Sequence, residues 1–189
     1  LENFQDELYL PLREGENIRG GSSLLSNQSN CPFKAFARNR LHASKLEEFN
    51  NGLNPIARGQ ALHLALEKLG EEIRSSEELK QLSNNELNNI ILRSIHSAID
   101  FLRKKFPETM SPVFSNLEKN RLENLLRGFI NLEKERSSFS VLSTEEKIDW
   151  EHSKLSLSFR IDRIDRIEDG SVLLIDYKTG KKVNYKWFD

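Results

Sequence analysis

Two acidic residues and a lysine lie close together in the sequence near its end, around a short apolar run. Asp162 falls in a segment that mixes apolar and charged residues, and Asp176 directly follows the apolar run at 172–175. Lys178 comes two residues later. Because alternate side chains of a strand share a face, Asp176 and Lys178 are expected to point the same way. The spacing therefore aims a carboxylate and an ammonium group at one place.

Residues 159–180 have the sequence of a β-hairpin, with Glu168-Asp169-Gly170 as the tight turn. Two carboxylates brought together across a hairpin, here Asp162 and Asp176, repel each other unless a cation lies between them. Carboxylate oxygens suit Mg²⁺ or Mn²⁺. Lys178 could hold or activate an attacking water, or neutralise charge that develops on a phosphate. The alternative is a surface hairpin whose charges face water.

The Asp, turn, apolar strand and Asp-x-Lys arrangement resembles the PD-(D/E)xK nuclease superfamily. More closely, IDRID followed by IDYKTG is similar to the RecB/AddB-type nuclease domain of DNA-repair proteins. The resemblance covers roughly residues 20 to 189. It implies that Asp162 and Asp176 bind the metal ion, that the backbone carbonyl of Tyr177 is a further ligand, and that Lys178 orients the attacking water. Phe159 departs from the pattern, because these domains usually have a glycine there.

A third motif lies upstream, in a segment that is predicted to be helical from Ala57. Its apolar stripe consists of Leu62, Leu66, Leu69 and Ile73. His63 lies beside this stripe, and an isolated helical histidine is most often a core or boundary residue. However, Arg58-Gly59, His63 and Leu66-Glu67 resemble the RG…H…LE motif of the RecB/AddB-type domains. The resemblance implies that His63 is a metal ligand, with Glu67 at most beside the ligands.

Composition sets the broad class. At 189 residues with 37% hydrophobic side chains, the chain is long enough for one domain with a core. No apolar run approaches a membrane span and the N-terminus has no signal-peptide pattern, so a cytoplasmic location and no membrane partner are predicted. The formal net charge of −1 means that any DNA binding must use local basic clusters.

The single cysteine, Cys31, excludes an internal disulfide. Cys31-Pro32-Phe33 is also similar to the segment upstream of the catalytic part in RecB/AddB-type domains. In a subset of that family the equivalent cysteine is one of four ligands of an iron–sulfur cluster. The other three cysteines are absent from this chain, so no cluster is predicted and Cys31 is interpreted as a small buried residue. The nearby basic residues that could contact phosphate are Lys34, Arg38 and Arg40.

The periodicity divides the chain into an arm or linker at 1–20, a helical part at about 21–140 and a catalytic sheet at about 143–189. Pro32 should divide the first helix, a capping box at Ser83 should start another, and Ser111-Pro112 should start the last. The apolar surface of that last helix is broad enough to be wedged between other elements. From Ser143 the period becomes that of strands.

The fold class predicted is α/β (α+β) with a restriction-endonuclease-like core, in which a helical N-terminal part precedes a three-stranded meander. Against the family core, the last helix and strand are missing, so the chain is interpreted as a truncated nuclease domain.

The function predicted from these residues and the resemblance is that of a metal-dependent DNA nuclease. An exonuclease that hydrolyses phosphodiester bonds in DNA repair and recombination is expected. The expected partners are single-stranded DNA or duplex ends and a helicase subunit or domain. The alternative is a catalytically inactive nuclease fold that serves for DNA binding or protein docking.

Overall fold

The computed structural model describes residues 18–44 and 52–180. They fall into two compact units. The first contains residues 18–44 together with 147–159, and the second contains 52–146 and 160–180. Most of the predicted arm, up to residue 17, lies outside the described residues, so the predicted domain boundary at residue 20 stays a prediction.

The first unit is small and mixes helix with strand. Its elements are β1 (Ile18–Gly20), α1 (Ser22–Asn30), α2 (Pro32–Ala35) and a π-helical turn at Phe36–Arg40. Strand β1 pairs in parallel with residues 155–157, at the start of β3 (Leu155–Ile167). Gly21 permits the turn from β1 into α1, since a Cβ there would lie 2.7 Å from the Ser158 carbonyl oxygen. Leu24, Ala35 and Leu157 form the core of this unit, and Phe159 packs against them.

Pro32 divides the first helical segment as predicted, but the interpretation of Cys31 as a buried residue is wrong. Cys31 is exposed. It joins α1 to α2 in an extended conformation with φ −162°, and its N–H donates to the Asn27 carbonyl at 2.8 Å. The residue is therefore a helix junction with its side chain outside the core. Lys34 and Arg38 are also exposed.

The second unit carries four helices: α3 (Pro55–Glu72), α4 (Ser76–Gln81), α5 (Asn84–Lys105) and α6 (Pro112–Glu135). Side chains of Asn54, Ser75, Ser83 and Ser111 cap their N-termini. The predicted capping box at Ser83 is confirmed, because Glu86 N donates to Ser83 Oγ at 3.3 Å and Ser83 N donates to Glu86 Oε2 at 2.9 Å. No helix within 18–44 and 52–180 is long and apolar enough to cross a membrane.

The core of this unit lies between α3, α5 and α6. Ala61 and Ala65 of α3 are fully buried, so small side chains let α5 pack closely, while Leu62 of the predicted stripe is only partly buried. The expectation that α6 is wedged between other elements is wrong for the described part of the chain. Leu122 and Leu126 are buried, whereas several other apolar residues of α6 face solvent: Val113, Phe114, Leu117, Leu125 and Leu132.

The sheet is mixed. Strand β2 (Phe139–His152) begins four residues before the predicted position, and β3 pairs antiparallel with β4 (Val172–Ile175) with Arg163 opposite Ile175. The predicted tight turn joins β3 to β4. Gly170 has φ +84°, and Asp169 Oδ1 accepts a hydrogen bond from Ser171 N at 2.8 Å. Helices with a mixed sheet confirm the predicted α/β, restriction-endonuclease-like class.

A buried network of charges fixes β3 to α6. Arg163 Nε donates to Asp165 Oδ1 at 2.6 Å, and Arg163 Nη2 forms an ion pair with Glu133 at 2.8 Å. Arg136 closes the network by contacting both Glu133 and Asp165, and both guanidinium groups lie over the Phe139 ring. Burial lowers the pKa of Arg163, but its bonds to Asp165 and the charge of Glu133 outweigh this and raise it. Arg163 therefore stays a cation, and the network sets two guanidinium groups against two carboxylates.

We expect Asp165→Asn to destabilise the protein by about 3–5 kcal/mol, because it leaves the buried guanidinium of Arg163 and the half-buried one of Arg136 with one carboxylate. Urea unfolding followed by circular dichroism measures this. Asp149→Asn is the matched control, since Asp149 pairs with Lys147 in solvent and its removal should change stability little. Equal effects of the two substitutions would show that the network does not hold β3.

Candidate metal centre

Asp162 of β3 is more buried than Asp176, the other predicted acid of the site. Its side chain is only 8% exposed, and Oδ2 accepts a hydrogen bond from Tyr177 N at 2.6 Å. Oδ1 lies 3.2 Å from His63 Nδ1. Because neighbouring residues of a strand face opposite sides, Asp162 is presented away from the Arg163 network that anchors the strand. The predicted proximity of Asp162 and His63 is present in the structure.

His63 of α3 lies between two glycines of the same helix. A Cβ on Gly59 would lie 3.3 Å from Thr179 Oγ1, and a Cβ on Gly70 would lie 3.0 Å from Thr144 Cγ2. These glycines let the segment after β4 and the strand β2 approach the helix closely. The space that Gly59 leaves is next to Thr179. The two close approaches bring β2 and the segment after β4 alongside the helix that carries His63.

Glu145 of β2 is a member of the site that sequence analysis missed. Its Oε1 lies 3.9 Å from His63 Nδ1, and one donor atom from each of His63, Glu145 and Asp162 lies within 4.8 Å of the others. Arg160 Nη1 is 3.4 Å from Glu145 Oε2. Partial burial and then the neighbouring charge of Asp162 raise the pKa of Glu145. Two carboxylates thus converge on one imidazole.

The imidazole of His63 is held from both nitrogens. Nε2 lies 2.9 Å from the Tyr177 carbonyl oxygen, which can only accept, so a hydrogen bond there requires the proton on Nε2. Nδ1 then faces Asp162 and Glu145, which as carboxylates are acceptors too. A neutral ring would direct its Nδ1 lone pair at two carboxylates. A metal ion at Nδ1 would use this lone pair together with oxygens of both carboxylates.

Asp176 and Lys178 follow β4 and pair with each other. Lys178 Nζ lies 2.6 Å from Asp176 Oδ2, and the two side chains are 60% and 57% exposed. Their contact agrees with the predicted shared direction. The register that sets Arg163 opposite Ile175, continued by one residue, sets Asp162 opposite Asp176. Within the described residues, however, the cluster of donors that lie close together contains Glu145 and not Asp176.

Comparison with known families identifies the superfamily of this chain. The family model of the PD-(D/E)XK nuclease superfamily matches residues 23–187. The chain belongs to this superfamily. Its members are metal-dependent nucleases, and the matched span includes His63, Glu145, Asp162, Asp176 and Lys178.

The donor set fits the divalent ion that the superfamily uses. Carboxylate oxygens are hard ligands that suit Mg²⁺ and Mn²⁺, and neutral imidazole is a common additional ligand. Asp162 Oδ1 and His63 Nδ1, at 3.2 Å, are close enough to share one ion at about 2.1 Å from each. The Tyr177 carbonyl on Nε2 is the kind of partner that orients a metal-bound histidine.

A cavity of about 530 Å³ opens beside this centre. His63, Glu145 and Asp162 line it, and so do the cationic side chains of Lys105 and Arg160. Lys105 Nζ donates to Gln60 Oε1 at 2.9 Å and lies over two phenylalanine rings. Within the described chain no carboxylate pairs with Lys105. The cavity therefore combines an acidic centre with cations that can face an anionic ligand.

Glu67, which was predicted to lie at most beside the ligands, also lines the cavity and contacts Lys68 at 3.5 Å. The signal that could have pointed to Glu145 is the adjacent pair Glu145-Glu146 near the start of the predicted strand. It did not say which of the two faces the hairpin, because strand alternation allows either.

The carboxylate of Glu145 should make the stability of the metal-free protein depend on pH. A raised carboxyl pKa means that the native state binds its proton more tightly than the unfolded state. The contribution of Glu145 to stability therefore falls as pH rises from the unfolded-state pKa through the folded-state pKa. Glu145→Gln removes this penalty. We expect the variant to exceed the parent in stability at pH 7 and to match it near pH 4.

Chemical denaturation in EDTA at both pH values measures the effect. Glu146→Gln, at the exposed neighbouring position, is the control and should show no such pH-dependent gain. A gain of equal size at both pH values would contradict the charge-based explanation.

Proposed function

We propose that this chain is a metal-dependent deoxyribonuclease module of the RecB/AddB type. One observation carries the proposal: His63 and Asp162, from motifs about 100 residues apart, meet at 3.2 Å beside the Asp-x-Lys segment. Three elements bring donor groups to this place, which is what a metal-dependent hydrolase needs. A charged surface hairpin would not require a helix histidine at its buried acid.

The proposed ligands are His63, Asp162 and Asp176. A divalent ion bound there would polarise a phosphate oxygen and lower the pKa of a water molecule. Asp162 is already fixed through its bond from Tyr177 N, so its free oxygen is positioned before any ligand arrives. The Tyr177 carbonyl holds the histidine from Nε2. That this carbonyl itself binds the ion stays a prediction.

Lys178 is proposed to act on the attacking water or on the charge that develops on phosphate. Its ion pair with Asp176 lies in solvent, where such pairs contribute little to stability. The ammonium can therefore exchange this carboxylate for a substrate oxygen at small cost. Asp176, once separated from Lys178, is available for a cation.

The DNA substrate is supported by the cations of the cavity. Lys105 and Arg160 line the same space as the acidic centre, and a phosphodiester backbone is an anion that needs such groups. Exonuclease action on single strands or duplex ends, a role in DNA repair and recombination, a helicase partner and a cytoplasmic location are also proposed. These finer points rest on the resemblance of IDRID and IDYKTG to the RecB/AddB-type domains.

Lys178→Ala should lower the rate of single-stranded DNA cleavage with Mn²⁺ by about 10²-fold or more, or roughly 3 kcal/mol of transition-state stabilisation. DNA affinity should change little. Lys147→Ala is a closely matched control, because Lys147 pairs with an acid two residues away at 60% exposure, as Lys178 does. A rate for Lys178→Ala within twofold of the control would remove Lys178 from the proposed chemistry.

Asp162→Asn and Asp176→Ala should each weaken Mn²⁺ binding measured by calorimetry and abolish cleavage, while DNA binding survives. Removing a carboxylate lowers repulsion against phosphate, so Asp176→Ala should bind DNA at least as tightly as the parent. Asp149→Ala is the control for an exposed, lysine-paired aspartate. Unchanged Mn²⁺ affinity in both site variants would favour the inactive docking module instead.

A further inference from the structure

We propose that Glu145 is a metal ligand at the Nδ1 side of His63, and that the chain keeps a strained backbone at Glu145 to deliver it. This inference rests on the proposed function, because it concerns the same centre. It adds a ligand that the sequence-based set of His63, Asp162, Asp176 and Tyr177 lacks. It also places the ion at Nδ1, in the plane of the imidazole ring and on the side away from the Tyr177 carbonyl.

The backbone of Glu145 has an unfavourable conformation. Glu145 has φ +50°, although it lies inside the long strand β2. This left-handed conformation is unfavourable for residues with a side chain, and glutamate is not among those that tolerate it well. It also interrupts the alternation of side chains along the strand. Such conformations persist where surrounding structure enforces them, and they cluster at functional sites.

The Glu145 side chain points toward the other donors of the centre. The strained residue sends its carboxylate toward His63 Nδ1 and Asp162, and only 18% of that side chain remains exposed. The nearest cation is Arg160 at 3.4 Å, which is 70% exposed. Backbone strain, partial burial and repulsion from Asp162 all oppose this placement. A divalent cation between the two carboxylates would compensate for all three.

The hydrogen bonding of His63 determines which of its nitrogens can bind a metal ion. With Nε2 donating to the Tyr177 carbonyl, the lone pair available for a metal is on Nδ1. Nδ1 is also the nitrogen that faces Asp162 at 3.2 Å and Glu145 at 3.9 Å. The three donor atoms are thus His63 Nδ1, Asp162 Oδ1 and Glu145 Oε1. One nitrogen with two carboxylate oxygens should bind Mn²⁺ more tightly than Mg²⁺.

The test uses two substitutions at Glu145 and the same two at Glu146. Glu146 is the adjacent exposed acid, and its carboxylate contacts Ser143. Glu145→Gln should weaken Mn²⁺ binding at least tenfold by calorimetry, whereas Glu146→Gln should leave it unchanged. Glu145→Gly removes both the ligand and the strain, so the metal-free variant should be at least as stable as the parent in urea. Glu146→Gly should instead lower stability and keep the Mn²⁺ affinity.

Parent-like Mn²⁺ affinity in Glu145→Gln would overturn the ligand assignment. Loss of stability in Glu145→Gly as large as in Glu146→Gly would overturn the account of the backbone. The outcome for the proposed function is separate, because it depends on Asp162. If Asp162→Asn loses Mn²⁺ and Glu145→Gln does not, the centre stands without Glu145. If neither variant loses Mn²⁺, the centre itself is wrong.

Discussion

The position of Asp162 depends on the buried pair of Arg163 and Asp165. These two residues lie on one face of β3 and are joined to α6 through Glu133 and Arg136. Asp162 lies on the other face of the same strand. Because adjacent strand residues cannot turn independently, locking one face orients the other. The network contains two cations and two anions, so it tolerates burial that a lone charge could not.

Much of this organisation could be predicted from local sequence. The turn at Gly170, the caps of the long helices and the break at Pro32 depend on residues close together in the chain, so their patterns are informative. The proximity of His63 and Asp162 was different. No periodicity implied it, and it came only from the resemblance of separate motifs to one family. Local rules predicted the elements, and the resemblance predicted which of them meet.

Features that depend on tertiary contacts were missed or wrong. Strand β1 spans three residues and pairs with a strand more than 130 residues away, so it leaves no local pattern. Cys31 has a side chain that is usually buried, but a helix junction places it in solvent. Glu145 has a positive φ that alternation does not anticipate. Asp162 was predicted as the site acid, but the structural role of Asp165 was not predicted, because it depends on which face of the strand α6 covers.

The hairpin contains two kinds of charge pair, one buried and structural and the other exposed and able to change partners. Breaking the buried pair of Arg163 and Asp165 would leave unpaired charges in a low-dielectric environment. This is energetically costly, so the pair is fixed. Asp176 and Lys178 meet in solvent, where exchange of partners costs little. The centre at Asp162 is intermediate in exposure between these two pairs. It gathers two carboxylates around one imidazole, and a cation would neutralise their negative charge. Whatever binds there stabilises the native state by mass action, so metal affinity and folding stability must be coupled.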